Sequence, residues 1–152
     1  MDKIKIIEDF LIKLGVEFEM VEKKESELLG YYRYVITTPE AGILIGGKGE
    51  TLSALGHVLR KVIEKEVKNE DPEERFFIDI GDYQNTRVQE IKNKAIILAE
   101  RVRFFKKEIE MSPMSAYERM IVHSTFTDYP DIETESRGLD YERRVVIKYL
   151  EN

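Results

Sequence analysis

The chain has no cysteine, which excludes disulfides and thiolate metal sites and fits a cytoplasmic setting. Histidine is nearly as scarce. His57 and His123 stand far apart in the sequence, a poor basis for a His-built metal site. Neither a metal nor a cofactor is expected. No apolar run approaches the about 18 residues that mark a membrane-spanning helix, so no membrane association is expected. The first residues, MDKIKIIEDF, carry acids and lack a small-residue cleavage site, which excludes a secretory signal. Repeats and low-complexity linkers are absent as well. Positive charge is also in short supply. The net charge is −6, and it is unevenly placed. Residues 1–82 hold 12 Lys/Arg against 18 Asp/Glu, whereas residues 83–152 hold 12 of each. A nucleic-acid partner would therefore have to be held by local groups on a mostly acidic body, with modest affinity at any one site.

What is present suits a folded, water-facing protein. Apolar residues make up 42% and charged residues 36%, enough for one medium domain or two small ones. Ile4, Ile7, Leu11 and Leu14 recur at helical spacing and Gly15 follows as a stop. Val16, Phe18 and Met20 alternate with glutamates, the pattern of a half-buried strand, and KKESELLG after them reads as a polar turn. YYRYVITT over 31–38 is a second strand. Thr38-Pro39-Glu40 has the composition of a helix start, with Thr38 as the cap. That helix is short, because Gly46 and Gly47 end it. Another runs from about Glu50, with Leu52, Leu55, Leu59, Val62 and Ile63 on one side. NEDPEE is a loop and RFFIDI, 75–80, a third strand. The order is α-β-β-α-α-β, closed by Gly81-Asp82.

A long helix follows in which Val88, Ile91, Ala95, Leu98, Val102, Phe105 and Ile109 step by three and four. Such a stripe packs on a sheet or, less commonly, forms a dimerising seam. MSPMS breaks it. Ser115 and Glu118 form a capping box that opens a helix to about Thr127. DYPD is a turn, and IETES and RRVVIKYL are two strands that close a small α+β unit.

The stretch GILIGGKGET, 42–51, carries the sharpest functional signal, and it has two readings. Counted from Gly42 it is G-x-x-x-x-G-K, a phosphate loop short of its last residue. That loop needs Ser or Thr after its lysine to hold magnesium, and Gly49 stands there. It should also run straight from strand to helix, whereas Pro39 starts a helix inside the would-be loop, and no parallel βαβ series is expected to follow. Counted from Gly46 the same stretch is the G-x-x-G turn of a KH nucleic-acid-binding domain. Gly46 and Gly49 lack a Cβ, so a sugar–phosphate backbone can come close. The helix start at Glu50 directs free N–H groups and its positive dipole end at phosphate. Lys48 adds charge at the tip beside Gly47, and bases would lie over Ile43, Ile45 and Leu52. The motif alone is weak, but its place between two adjacent helices of an α-β-β-α-α-β unit strengthens it.

In the second half, Arg119 and His123 stand at i and i+4 on the capped helix and share a face. Ser136-Arg137-Gly138 and then Arg143-Arg144 follow, with Arg144 leading a strand toward the same place.

GILIGGKGETLSAL, YERMIVH and RRVVI, in that order, resemble the Jag (KhpB) family of bacteria, from about Ile4 to Tyr149. The resemblance implies a type II KH domain over 1–81. It implies a single-stranded nucleic-acid-binding RxxxH (R-three-H) domain over 82–152, with a long connecting helix. It also implies an RNA-binding post-transcriptional regulator, tied in many members to elongation, division or sporulation. RNA contact is carried onto Gly46, Gly47, Lys48 and Gly49, and nucleic-acid contact onto Arg119 and His123. Ile45, Arg143 and Arg144 join them on the reading of the residues above. Family members are thought to pair with a small single-domain KH protein. Many also carry a further N-terminal domain and linker. This sequence begins at the KH unit's first helix, so roles that depend on that domain are not expected here. The turn has one basic residue where relatives often have more, so weaker binding is expected.

The reading favoured is thus a non-catalytic binder of single-stranded RNA, or of single-stranded DNA. A protein-interaction module with an acidic docking surface is the alternative from another class. Catalysis is disfavoured, because Glu118, Asp128 and Asp140 fall in a capping box, a turn and a loop, places that account for them.

Overall fold

The computed structural model describes residues 2–28, 30–67 and 74–151, and they form a mixed α+β fold in two compact units, Met1–Gln84 and Asn85–Asn152. Most of the NEDPEE loop lies outside the described residues.

In the first unit, α1 (Lys3–Leu14) begins where the Asp2 carboxylate accepts the Ile4 N–H at 3.1 Å, and it stops at Gly15. Strand β1 (Met20–Glu25) pairs antiparallel with β2 (Tyr31–Thr37), from Met20 opposite Thr37 to Glu25 opposite Tyr32. Two expectations shift here. Residues 16–19 are not strand, and the backbone of Glu17 is taken elsewhere. The Glu17 N–H donates to the Glu40 carboxylate at 2.7 Å and the Thr38 hydroxyl donates to the Glu17 carbonyl. Lys23–Glu25, expected in a turn, extend the ladder instead. Strand β3 (Arg75–Ile80) lies parallel to β2, giving the order β1-β2-β3. The chain between β2 and β3 holds α2 (Ala41–Ile45), a tight turn at Gly47–Gly49 and α3 (Glu50–Glu66). The two strands and this helical crossover are thus a parallel arrangement, which the sequence pattern did not indicate.

The sheet face that carries Tyr34, Ile36, Ile78 and Ile80 is covered by Ile6, Ile7 and Leu11 of α1 and by Leu52, Leu55, Leu59 and Ile63 of α3. Their helical and strand periods converge on one core. Val35, Phe77 and Asp79, which alternate with those strand residues, are also buried. Asp79 is fully buried yet polar, and its needs are met. It accepts from the backbone N–H groups of Ile80 at 2.8 Å and Gln84 at 3.0 Å and pairs with Arg33 at 2.9 Å.

In the second unit, α4 (Tyr83–Phe105, its first two residues belonging to the first unit) buries Val88, Ile91, Ala95, Ala99 and Val102. The helix ends earlier than its stripe implied, where Lys106 takes a φ of 53°. Phe105 is exposed, and Ile109 falls in β4 (Ile109–Glu110). Helix α5 (Ala116–Thr125) opens with both halves of the capping box. Ser115 Oγ accepts the Glu118 N–H at 3.2 Å, and the Glu118 carboxylate accepts the Ser115 N–H at 3.1 Å. Strands β5 (Ile132–Arg137) and β6 (Arg144–Tyr149) complete an antiparallel sheet of order β4-β6-β5. Ile91, Ala95, Ala99 and Val102 of α4 share one core with Val122 and Phe126 and with Ile132, Val145 and Ile147 of the sheet. The stripe is therefore taken up by this unit's own core.

Candidate nucleic-acid interface

Each unit carries one group of candidate residues, and the two are described separately. In the first unit, α2 stops at Gly46, whose φ of 71° and ψ of −176° suit glycine alone. A Cβ there would lie 2.2 Å from Thr51 Oγ1 and 3.0 Å from the Thr51 N. Gly46 thus lets α3 start tight against the end of α2. Lys48 sits at the tip with a φ of 54°, and no carboxylate partner is found for it among the described residues. Behind the turn, a Cβ on Gly49 would lie 3.2 Å from the Tyr83 hydroxyl, so Tyr83 backs the turn on its inner side. Nothing lies within 4 Å of a Cβ placed on Gly47. The exposed side of the turn is therefore Gly47 and Lys48, with the first N–H groups of α3 behind them.

The expected apolar groove is only partly present. Ile43 is 71% exposed and Ile45 half-buried, but Leu52 is in the core and has no surface to offer a base. The phosphate-loop reading keeps its objections, the first two being the missing hydroxyl after Lys48 and the helix α2 between β2 and the turn. The third, that no parallel βαβ series follows, also stands, because among the described residues the single parallel pair β2–β3 is followed by an antiparallel sheet. Thr51, the nearest hydroxyl, packs beneath Gly46.

In the second unit, Arg119 and His123 project from α5. The Arg119 guanidinium donates to the Met114 carbonyl at 2.9 Å. Both nitrogens of the half-buried His123 meet hydroxyls of β5, Nδ1 at 2.6 Å from Thr134 Oγ1 and Nε2 at 3.0 Å from Ser136 Oγ. The alternation of β5 explains this. Ile132, Thr134 and Ser136 face the helices, while Glu133, Glu135 and Arg137 face away. Burial, and then the charge of Arg119, hold the His123 imidazole below its ordinary pKa and so favour its neutral form. Burial, and then the neighbouring Arg143 charge, lower Arg119 as well.

Arg143 is thus the second guanidinium beside Arg119. Its side chain donates to the Gly138 carbonyl at 2.8 Å, and its own carbonyl accepts the Met114 N–H at 3.2 Å. Among the described residues neither Arg119 nor Arg143 has a carboxylate within ion-pair distance. Arg144 does not join them. Its Nε lies 3.0 Å from the Glu110 carboxylate, an ion pair without the alignment of a good hydrogen bond. Arg137 is likewise consumed, by Glu108 at 2.9 Å and Glu135 at 2.9 Å. Lys148 and Arg137 together hold the Glu135 carboxyl down at about 2, their hydrogen bonds being the main cause.

The structure thus keeps Arg119 and His123 on one helix face, as expected, and of the two adjacent arginines that were candidates it leaves Arg143 near Arg119 while Arg144 pairs with Glu110. The alternation I-E-T-E-S-R was the available signal for Thr134 and Ser136 as partners of His123. No sequence pattern pointed to Tyr83 behind the turn. What the second cluster can do chemically follows from its charge. Two guanidiniums without counterions, held about a backbone segment, offer donors in a planar fork that suits phosphate.

Comparison with known proteins bears on this unit directly, since residues 89–149 match the model of the R-three-H domain. Over 122 residues, 77% of this chain, the sequence is 34% identical to a Bacillus subtilis protein named RNA-binding protein KhpB, covering 56% of that protein. A Clostridium symbiosum protein of the same name is 27% identical over 90% of this chain and 57% of its own length. One from Lactiplantibacillus plantarum is 27% identical over 72% of this chain and 33% of its own length. The chain spans little more than half the length of the first two relatives.

Proposed function

The match of residues 89–149 to the R-three-H domain and the likeness to proteins named KhpB support the Jag (KhpB) family, and from that premise we propose that this protein binds single-stranded RNA as a non-catalytic regulator. The observation that carries the reading is the pair Arg119 and Arg143. They are two cations with no carboxylate partner among the described residues, on a chain of net charge −6 and inside the matched region. Paired cations such as Arg137 and Arg144 serve the fold. Unpaired ones held close together are what an anionic ligand would use.

The proposal extends to the first unit. Its order α-β-β-α-α-β, with the Gly46–Gly49 turn between α2 and α3, supports a type II KH domain over about 1–81. An RxxxH domain would fill 82–152. On this reading the turn binds the RNA backbone through Gly47, Lys48, Gly49 and the first N–H groups of α3. Gly46 sets the turn, and Ile43 and Ile45 lie beside the bases. A small single-domain KH protein would be a second partner, and the cytoplasm the expected site of action. Among the described residues, no helix is long and apolar enough to cross a membrane.

Filter binding with a random pool of short single-stranded RNA tests the proposal. The expected result is retention at low salt that declines as salt is raised. No retention at low salt would overturn it and favour the acidic first unit as a protein-docking surface.

A further inference from the structure

The loop between β5 and β6 displays two apolar side chains to solvent, Tyr141 at 96% exposure and Leu139 at 80%. Single exposed apolar residues are common and need no explanation. This loop differs in how firmly it is held. Gly138 has a φ of 92°, and a Cβ there would strike the Glu142 carbonyl at 2.7 Å, so the two ends of the loop are in contact. The Glu142 N–H donates to the Leu139 carbonyl at 3.0 Å, the Arg143 N–H to that of Asp140 at 3.3 Å, and the Arg143 side chain to that of Gly138 at 2.8 Å. Tyr141 is thus presented on a closed frame, at little further cost in loop ordering on binding.

The frame joins the charged cluster at both ends. Ser136, two residues before Gly138, holds His123. Arg143, at the other end, stands beside Arg119 and is tied to Met114, the same residue that accepts from Arg119. Asp140 and Glu142 flank Tyr141 on the loop itself. Those acids repel phosphate, so the tip is unsuited to a sugar–phosphate backbone. An uncharged base is the part of a nucleotide it would accept.

We propose that Tyr141, with Leu139 in the same loop, is a stacking platform for one base of a single strand whose phosphate is held by Arg119 and Arg143. The inference rests on the RNA-binding reading and adds to it a division of labour, with cations for the backbone and the loop tip for a base. Stacking on an aromatic ring tolerates every base, so the platform adds affinity without sequence preference.

The test uses the whole chain carrying G47D and K48D, so that the glycine turn is silenced, with the unsubstituted chain alongside. Fluorescence anisotropy is read with a labelled single strand of about ten nucleotides and with a stable abasic analogue of the same length. Tyr141→Ala is expected to weaken binding of the base-bearing strand about 5- to 100-fold and to leave the abasic strand unchanged. Tyr141→Phe keeps the ring and should bind like the parent. An unchanged affinity for the base-bearing strand, or an equal loss on both, overturns the platform while leaving RNA binding in place. If the unsubstituted chain binds neither strand, the RNA-binding reading itself fails and the platform with it.

Discussion

Gly46 and Lys48 occupy one turn but differ in what substitution would do to them. Gly46 is confined by its own backbone and by Thr51. Gly46→Ala is therefore expected to cost about 1–3 kcal/mol of stability, measured by urea unfolding. Gly47 has open space around it and Lys48 is solvent-facing, so Asp at both positions should leave the melting temperature nearly unchanged. It should nevertheless weaken RNA binding at least about tenfold, through the charge it sets against phosphate. His123 invites a prediction of pH dependence. Its folded pKa lies below the ordinary value of about 6.5, so the unfolded chain takes up this proton first as pH falls. Its stabilising contribution is full above about pH 6.5 and is lost as pH drops toward the lowered folded value. His123→Gln removes the titration and keeps a partner for the strand hydroxyls. The fall in melting temperature between about pH 7.5 and 5.5 should then be smaller in the variant than in the parent. Any gain in RNA affinity from imidazolium formation belongs in the same acidic window rather than above neutrality.

At the scale of elements, legibility followed the regularity of the pattern. Helix α1 could be read from its cap, glycine stop and apolar period, α3 from its apolar period and α5 from its capping box. The capping box at Ser115 and Glu118 is present with both of its hydrogen bonds. The start of β1 was misread because residues 16–19 alternate like a strand while the Glu17 backbone bonds to Thr38 and Glu40, far off in sequence. Strand β4 was missed because two residues carry no period. Asp79 could not be recognised either, since RFFIDI reads as an ordinary strand and nothing local announces Arg33 across the sheet. That pair joins β2 to β3 at a fully buried carboxylate. Burial pushes the Asp79 pKa up, against the backbone N–H of Gln84 and the charge of Arg33. Asp79→Ala would leave the guanidinium without a partner and the Gln84 N–H without an acceptor. It should cost about 3–5 kcal/mol by chemical denaturation. The same blindness to distant partners is why Arg143 and Arg144 stood as equal candidates in the sequence. Which of two adjacent arginines is neutralised depends on where Glu110 lies, and that is a fact of strand pairing.

Over the whole molecule, the balance of charge limits how tightly any single strand is held. Acids outnumber Lys and Arg over the chain, and the cations proposed for binding that have no carboxylate partner among the described residues are Lys48, Arg119 and Arg143. Two or three phosphate contacts imply that the logarithm of affinity falls with the logarithm of salt concentration at a slope of about −1.4 to −2.1. Ala at Arg119 should reduce that slope by less than about one unit, measured by anisotropy across a salt series. A much steeper slope would mean that further cations take part.

The shared attachment of Arg119 and Arg143 to Met114 has a consequence for the free protein. Two like charges near one residue, with no carboxylate partner for either among the described residues, are a local frustration that the fold tolerates, and an anion that relieves it will stabilise the native state by mass action. Sulfate or inorganic phosphate should therefore raise the melting temperature more than chloride at equal ionic strength. The excess should shrink in the Arg119→Ala, Arg143→Ala double variant. The cell's own small anions would then compete with RNA for the same two side chains, so the free protein would be neither empty nor at its least stable.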